Sequence, residues 1–305
     1  MFRKLKRYLQ DPYHEIGYDM LWRHPDWMSD KWYLKSLWKR TFGYELDLEH
    51  PKTFNEKLQW LKLYDRKPEY TLMVDKCRAK QWVADKIGEQ YIIPTLAVYN
   101  SVDEIDLDKL PNRFVLKCNH DSGSVLICKD KSTFDLLAAR EKFGAALKND
   151  YYLKWREWPY KNVKPCVMAE TFLEDLEGVN DYKFFCFNGK VRALFVATER
   201  QNEEKETRFD FFDENYNHFG FTNGHPNAEV VPEKPKHFTL MKSLSEALSQ
   251  EIPHVRVDFY DVKGQVYFGE MTFYHWGGFM PFHPKKWDDV FGGWIALPTD
   301  LSCDK

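Results

Sequence analysis

Two short stretches of the chain carry the residue types that phosphate chemistry needs. Lys117 closes the apolar run Phe114-Val115-Leu116 and is followed by Cys118-Asn119-His120-Asp121-Ser122-Gly123-Ser124. A lysine at a strand end beside a Ser-Gly-Ser loop offers an ammonium, hydroxyls and backbone N–H groups to a polyanion. This is not a GxxxxGK[ST] loop opening a helix, because it leads back into a strand. Taken alone, an ordinary hairpin explains it better. The second stretch is Arg256-Val257-Asp258-Phe259-Tyr260 with Gly269-Glu270-Met271-Thr272. Val255, Val257 and Phe259 alternate to one face of their strand, leaving Arg256, Asp258 and Tyr260 on the other. A two-residue turn at Lys263-Gly264 puts Asp258 and Glu270 on opposite faces of the hairpin. A three-residue loop, Val262-Lys263-Gly264 with a left-handed glycine, makes them near neighbours on one face. Two carboxylates brought together there beside an arginine repel unless a cation sits between them, which is a Mg²⁺ site presented to phosphates. A solvated sheet face of mixed charge is the competing reading.

The elements that must position these residues read as a mixed α and β chain with largely antiparallel sheets. Residues 1–75 are rich in Trp, Tyr, Lys and Leu and read as helical. Within them Thr53 and Glu56 form a capping box, and Phe54, Leu58 and Leu61 share one helical face. A second helix is expected over Val74 to Ile87, stopped by Gly88. Strands are expected at Tyr91 to Pro94, Arg113 to Lys117, Val125 to Cys128 and Cys166 to Glu170. A helix at Thr133 to Lys148 and a Trp-rich connection at 155–158 lie between the last two. Asp181 to Phe187 and Lys190 to Val196 flank Asn188-Gly189, the clearest hairpin signal in the chain. A charged loop from Glu199 to Arg208, a helix from Phe238 to Gln250 and the hairpin from Val255 to Phe273 complete the pattern.

Composition narrows the function classes. The 305 residues hold 44 Lys+Arg against 47 Asp+Glu, a net charge of -3 and a pI near 6.4. That balance argues against blanket neutralisation of nucleic-acid phosphates. Hydrophobic residues make up 43% and aromatic residues 17% of the chain, enough for a core despite a mean hydropathy of -0.62. The longest uncharged run, Met271 to Pro284, is 14 residues, short of the roughly 18 to 20 a membrane span needs. Phe2, Leu5 and Leu9 recur at helical spacing among four basic residues, with no apolar region following, so this is not a signal peptide. Such a helix suits peripheral contact with an anionic membrane surface; the shortness of the stretch favours packing on the protein itself. The six cysteines make no CxxC pair and suit a reducing cytoplasm. His275 and His283 lack further ligands at zinc spacing.

Taken in chain order, the pieces resemble the ATP-grasp superfamily. They are Val74-Asp75-Lys76-Cys77-Arg78-Ala79-Lys80, Val115-Leu116-Lys117, Ser122-Gly123-Ser124, Val167 to Phe172, Arg256-Val257-Asp258 and Glu270-Met271-Thr272. Lys52 to Lys57, Asp181 to Lys190 and Gly269 to Phe273 are similar, more narrowly, to the TupA-like branch, which is associated with teichuronopeptide and surface polysaccharide synthesis. The resemblance covers about residues 50 to 298. It implies an α+β fold of two lobes with largely antiparallel sheets clasping ATP, behind a helical N-terminal lobe. The divisions are 1–75, 76–165 and 166–305. It further implies that Lys80 and Lys117 hold ATP phosphates and that Ser122, Gly123 and Ser124 close over them. Adenine would meet the backbone of Glu170, Thr171 and Phe172, and Asp181 would hold the ribose. Lys183 and Arg192 face one side of their hairpin and add positive charge. By the same resemblance Asp258 and Glu270 would bind Mg²⁺ and Arg256 would stabilise the transferring phosphoryl group. Thr272 stands where most of the superfamily has asparagine, and Arg200 or Arg208 replaces the late lysine. The implied activity is a cytoplasmic, ADP-forming ligase joining a small-molecule or glycan carboxylate to an amine. The rival reading, a glycosyltransferase, has only Asp106-Leu107-Asp108 as an Asp-x-Asp motif, in an acidic stretch that suits a solvated helix or turn. A binding module without turnover would not require Arg256, Asp258 and Glu270 together.

Overall fold

A computed structural model describes residues 26–173, 180–200 and 205–299; the basic N-terminal stretch and Cys303 lie outside them. Helix α1 (Asp30–Phe42) starts at Ser29, whose hydroxyl accepts from Trp32 N–H, and stops at left-handed Gly43. Helix α2 (Phe54–Tyr64) carries the expected capping box between Thr53 and Glu56. The helix expected over Val74 to Ile87 is instead two, α3 (Glu69–Val74) and α4 (Ala79–Ile87). Asp75 breaks it, because its Oδ1 accepts from the N–H of Cys77 at 3.0 Å and of Arg78 at 3.4 Å. A short aspartate side chain competes in this way with helical backbone bonding. Tyr91 to Pro94 is likewise not a strand. A 3₁₀ turn covers Glu89–Tyr91, and pairing starts only after Pro94, at β1 (Thr95–Tyr99), since proline has no N–H for a ladder.

The first sheet has the order β1-β4-β2-β3, with β2 (Phe114–Cys118), β3 (Val125–Cys128) and β4 (Val167–Thr171), all antiparallel. Helix α5 (Leu136–Leu147) covers one face, where Phe114, Leu116, Ala139, Phe143, Val167 and Ala169 form a separate small core. The short helix α6 (Tyr151–Trp155) and a 3₁₀ turn (Trp158–Asn162) occupy the Trp-rich connection to β4.

The second sheet is formed by β5 (Asp181–Phe187), β6 (Lys190–Thr198), β7 (Arg208–Asp213), β8 (His254–Val262) and β9 (Gln265–Thr272) in the order β7-β6-β5-β8-β9, also antiparallel. Strands β5 and β6 form the expected hairpin, with positive φ at Asn188 and Gly189. Strand β7 was not anticipated. Helix α7 (Phe238–Leu248) lies on one face, with Phe184 and Phe238 rings 6.0 Å apart. The other face packs on Phe54 of α2, whose ring is 6.2 Å from Phe185 and 5.7 Å from Phe291 of α8 (Lys286–Trp294). The described N-terminal helices and this sheet thus share one continuous core.

The hairpin of β8 (His254–Val262) and β9 (Gln265–Thr272) sets which way the two carboxylates face. Its turn has two residues, Lys263 and Gly264, both at positive φ, and Val262 pairs with Gln265. The three-residue loop that would align the carboxylates is therefore absent. A bulge does the work instead. Phe259 pairs with Phe268 but Asp258 pairs with Glu270, so Gly269 is the extra residue. One inserted residue reverses the facing of everything beyond it, and Asp258 and Glu270 become direct cross-strand neighbours.

Candidate active site

Lys117 and Glu170 lie on the face of the first sheet turned away from α5. Lys117 pairs laterally with Val125 and Met168, and Glu170 with Val115 and Thr95. On this face Val98, Val125 and Ile127 remain 48%, 42% and 43% exposed. An apolar floor is thus left open beside two charged groups. Glu170 ties the lysines on this face together. Its Oε2 lies 2.5 Å from Lys117 Nζ and its Oε1 2.6 Å from Lys80 Nζ. Lys80, from α4, also donates to Ile93 O at 2.6 Å and Thr95 Oγ1 at 2.8 Å. Burial raises the Glu170 carboxyl, but the two ammonium groups outweigh it and hold the group below its usual range. Burial in turn pulls Lys80 down.

Across a narrow cleft from these lysines stand Gly269 and Glu270. Arg256 organises that wall. Its Nε and Nη2 donate to Asp258 Oδ1 and Oδ2 at 2.7 and 2.8 Å, and Nη2 reaches Glu270 Oε1 at 3.2 Å and Thr272 Oγ1 at 3.0 Å. Lys183 donates to Asp258 and lies 3.5 Å from Asp181, which is also bound by Arg200. Burial raises Glu270, yet the charges of Lys76, Lys183, Arg256 and Arg200 prevail and bring it to about 2. Glu270 keeps 32% of its side chain exposed, while Asp258 is enclosed at 3%.

The predicted residues therefore divide. Lys80, Lys117, Glu170, Asp181, Lys183, Arg256, Asp258, Glu270 and Thr272 converge on two facing walls, joined by Arg200 rather than Arg208, which donates to Asn227 O at 3.5 Å. Ser122 and Gly123 are exposed and Ser124 half-buried, with the Ser124 hydroxyl given to Asp121. Thr171 and Phe172 do not line the cavity. Thr171 N–H already donates to Pro94 O at 3.0 Å, and Phe172 lies 4.3 Å beneath the Arg113 guanidinium. Arg192 does not join Lys183; it is exposed and its nearest acid is Glu214 at 3.9 Å. Asp106-Leu107-Asp108 is a surface 3₁₀ turn capped by Asp106.

Sequence reading missed several positioning residues. Lys76 is one of them; its Nζ donates to Asp121 O at 2.5 Å and lies 4.0 Å from Glu270 Oε2, tying the serine loop to the hairpin. His275 accepts from Arg256 Nη1 at 2.9 Å through Nδ1, and its Nε2 faces Asn223 Oδ1 at 3.0 Å. Burial and the Arg256 charge hold it well below its usual pKa, so it is neutral and Nε2 carries the proton. The Arg-x-Asp spacing gave no sign of either partner. Among the described residues no three His, Cys, Asp or Glu side chains are grouped to hold a metal. Two carboxylates and a hydroxyl nevertheless make a hard-oxygen donor set of the kind Mg²⁺ takes when substrate phosphates and water complete its octahedron. No helix among the described residues is long and apolar enough to cross a membrane.

A family model described as TupA-like ATPgrasp matches residues 56–296. Among solved structures, the chain is similar to D-alanine–D-alanine ligase from Bacillus anthracis complexed with ATP, at 16% identity and TM-score 0.38, covering 66% of this chain and 54% of that one. It is similar to L-amino acid ligase from Bacillus licheniformis at 13% identity and TM-score 0.44, covering 72% and 48%. A third likeness is ATP-grasp ligase PsnB complexed with a phosphomimetic variant of its minimal precursor, Mg and ADP, at 11% identity and TM-score 0.44, covering 78% and 63%. The chain spans about half the length of the first two. No curated protein matches it.

Proposed function

Because the chain belongs to the TupA-like ATP-grasp family, we propose that it is an ATP- and Mg²⁺-dependent ligase that joins a carboxylate to an amine and releases ADP and phosphate. The observation that carries this reading is the pair of facing walls, Lys80 and Lys117 on one side of the cavity and Glu270 beside Arg256 on the other. Lys80 and Lys117 would exchange Glu170 for phosphate oxygens, with the Ser122–Ser124 loop above them. The open apolar face at Val98, Val125 and Ile127 would receive the purine, next to the strand backbone at Glu170. Asp181, through Arg200 and Lys183, would fix the ribose side. Asp258, Glu270 and Thr272 would hold Mg²⁺, which supplies neutralisation of the phosphate charge.

The reaction has two balanced steps. A carboxylate oxygen takes the γ-phosphoryl group from ATP, with ADP leaving, and Arg256 faces the charge that spreads over the transferring group. The amine nitrogen then attacks the acyl carbon, phosphate leaves with the bonding electrons, and one N–H proton is lost. The chain supplies positioning and charge rather than a covalent nucleophile. The carboxylate we favour is a uronic acid or amino-acid side chain of a surface polysaccharide or its precursor, and the site of action the cytoplasm. ADP release against a panel of uronic acids, amino acids and amines tests the reading. Mg·ATP should raise the melting temperature more than Mg·GTP, and Lys117→Ala should abolish the shift. An unchanged shift in that variant removes Lys117 from the phosphate site, and no ADP release from any pair removes the ligase.

A further inference from the structure

Two thiols that lie far apart in the chain meet beside the lysines of the candidate site. Cys77 sits in the turn between α3 and α4, and Cys166 stands one residue before β4. Their sulfurs are 3.4 Å apart, and Cys77 Sγ is also 3.6 Å from Met168 Sδ. Cys128 and Cys186 behave differently. Cys128 donates to Asn112 O at 3.7 Å, and Cys186 to Phe184 O at 3.8 Å and Ser245 O at 3.7 Å, as small core residues do. Asn119, 1% exposed, holds the two cysteine segments together. Its side chain accepts from Cys166 N–H at 2.8 Å and donates to Asp75 Oδ1 at 3.0 Å. Its backbone N–H donates to Cys166 O at 3.1 Å, and its carbonyl accepts from Lys76 N–H at 3.1 Å. Asp75 Oδ1 in turn accepts from Cys77 N–H at 3.0 Å. The contact between the sulfurs is thus fixed by backbone bonds on both sides.

The pair is placed to react. Cys77 is partly exposed, whereas Cys166 is buried. A small oxidant therefore has access to one sulfur while the second is already in contact with it. The hydrogen bond between the thiols holds Cys166 below its ordinary range, although burial and the Asp75 charge oppose it. A disulfide holds its sulfurs about 2.05 Å apart, so the bond requires the pair to close from 3.4 Å. Closure draws the turn at Cys77 toward the start of β4, and both segments carry parts of the candidate site. Lys76, next to Cys77, donates to Asp121 O at 2.5 Å and lies 4.0 Å from Glu270 Oε2. Lys80 follows on α4 and Glu170 on β4, and these two are joined at 2.6 Å.

We propose that Cys77 and Cys166 form a reversible disulfide with a peroxide as oxidant, and that this bond weakens nucleotide binding. One sulfur attacks the O–O bond of hydrogen peroxide and becomes a sulfenic acid, and the displaced oxygen leaves as water with the thiol proton. The second thiol attacks that sulfur, and the sulfenic oxygen leaves as water with the second thiol proton. Two thiols and one hydrogen peroxide give one disulfide and two waters; each sulfur loses one electron and the peroxide oxygens take up both. A dithiol reductant reverses the bond by exchange. In a reducing compartment such a bond is transient, which suits a sensor rather than a structural staple. The effect on binding rests on the nucleotide-site reading above. Misplacement on the order of an ångström is costly to a positioned site, and Lys76 and Lys80 are the groups that the turn would carry with it.

Two measurements on the full chain test it. The protein is treated with hydrogen peroxide, its remaining thiols are alkylated, and a non-reducing peptic digest is read by mass spectrometry. Wild type should give two peptides linked through Cys77 and Cys166 that dithiothreitol separates, and Cys77→Ser and Cys166→Ser should give no such pair. Mg·ADP is then titrated calorimetrically into reduced and oxidised protein. Oxidation should weaken binding about tenfold in wild type, and dithiothreitol should restore it. Cys77→Ser should bind as reduced wild type does and change by less than about twofold after peroxide. Because Cys77 is partly exposed, this variant guards against misfolding of the buried Cys166→Ser. Absence of the linked pair, linkage to a different cysteine, or equal affinity of reduced and oxidised wild type overturns the inference. So does a loss on peroxide treatment as large in Cys77→Ser as in wild type. If reduced wild type binds no Mg·ADP, the nucleotide-site reading falls, and the linked peptides alone decide the thiol pair.

Discussion

Glu270 opens on the cavity, whereas Asp258, its neighbour across the hairpin, is enclosed by Arg256 and Lys183. The two carboxylates should therefore fail differently. Glu270→Gln removes a charge from the cavity wall and should lower ADP release about a hundredfold or more with little change in melting temperature. Asp258→Asn should lower it as far, and should also destabilise the fold by about 3 kcal/mol, because it leaves Lys183 and Arg256 buried with less to pair. A merely solvated sheet face would leave both variants at wild-type activity, or melting slightly higher through relieved repulsion. Kinetics together with urea denaturation separate these outcomes. Much of this wall was legible in the sequence, because strand alternation alone puts Arg256 and Asp258 on one face and a strand end exposes Lys117. His275 and Asn223 were not legible. What each does depends on a neighbour far along the chain, and burial leaves no mark on local spacing.

At the scale of elements, strong cap and turn signals held. The Thr53–Glu56 cap and the Asn188-Gly189 turn are specified by residues within four positions of one another, and both formed. The break at Asp75 is equally local, but there a side chain outbids the backbone within an apparent helical pattern, and the bulge at Gly269 depends on a partner strand; neither was legible. The bulge can be tested. A Cβ at Gly269 would sit 3.1 Å from the Tyr260 ring and 3.2 Å from Asp258 O, and the backbone oxygen has little room to yield. Gly269→Val should displace Glu270 from Asp258 and reduce ADP release about tenfold or more, while costing about 1–3 kcal/mol of stability. Unchanged turnover would mean that the bulge does not set the carboxylate pair. Helix α2 offers a second test through Lys62, which binds the connection at Trp155 and the turn at Gly277 together. Burial draws this lysine from 10.5 to about 7, against smaller upward pulls from Glu157 and Asp30. The unfolded chain then holds more protons than the native one between pH 7 and 10.5, so the stability contributed at this site rises with pH across that window. The stability difference between wild type and Lys62→Met should grow by up to about 1.4 kcal/mol per pH unit from pH 7.5 to 9.5 in urea denaturation. A flat difference would show that Lys62 stays charged on folding.

For the whole molecule, the two cores imply unequal stability. The second sheet is sandwiched between α7 and the helices α2 and α8, with α1 joined to the same large cluster, whereas the first sheet has α5 on one face and is open on the other. Regions with fewer buried contacts open at lower free energy and exchange their amide hydrogens sooner. The amides of β1, β2 and β3 should therefore exchange faster than those of β5 and β8 in the free protein. A ligand that binds only the closed native arrangement stabilises whatever it holds by mass action. Mg·ATP spanning Lys80 and Lys117 on the first sheet and Glu270 on the second would make the smaller core depend on the larger one. Saturating Mg·ADP should then slow exchange in β2, β3 and the Ser122–Ser124 loop by a larger factor than in β5 and β8, and Lys117→Ala should remove that difference while leaving the free-state pattern alone. Hydrogen–deuterium exchange followed by mass spectrometry resolves these segments separately. Protection confined to β8 and β9, or equal across both sheets and unaffected by Lys117→Ala, would place the nucleotide somewhere other than between the two walls.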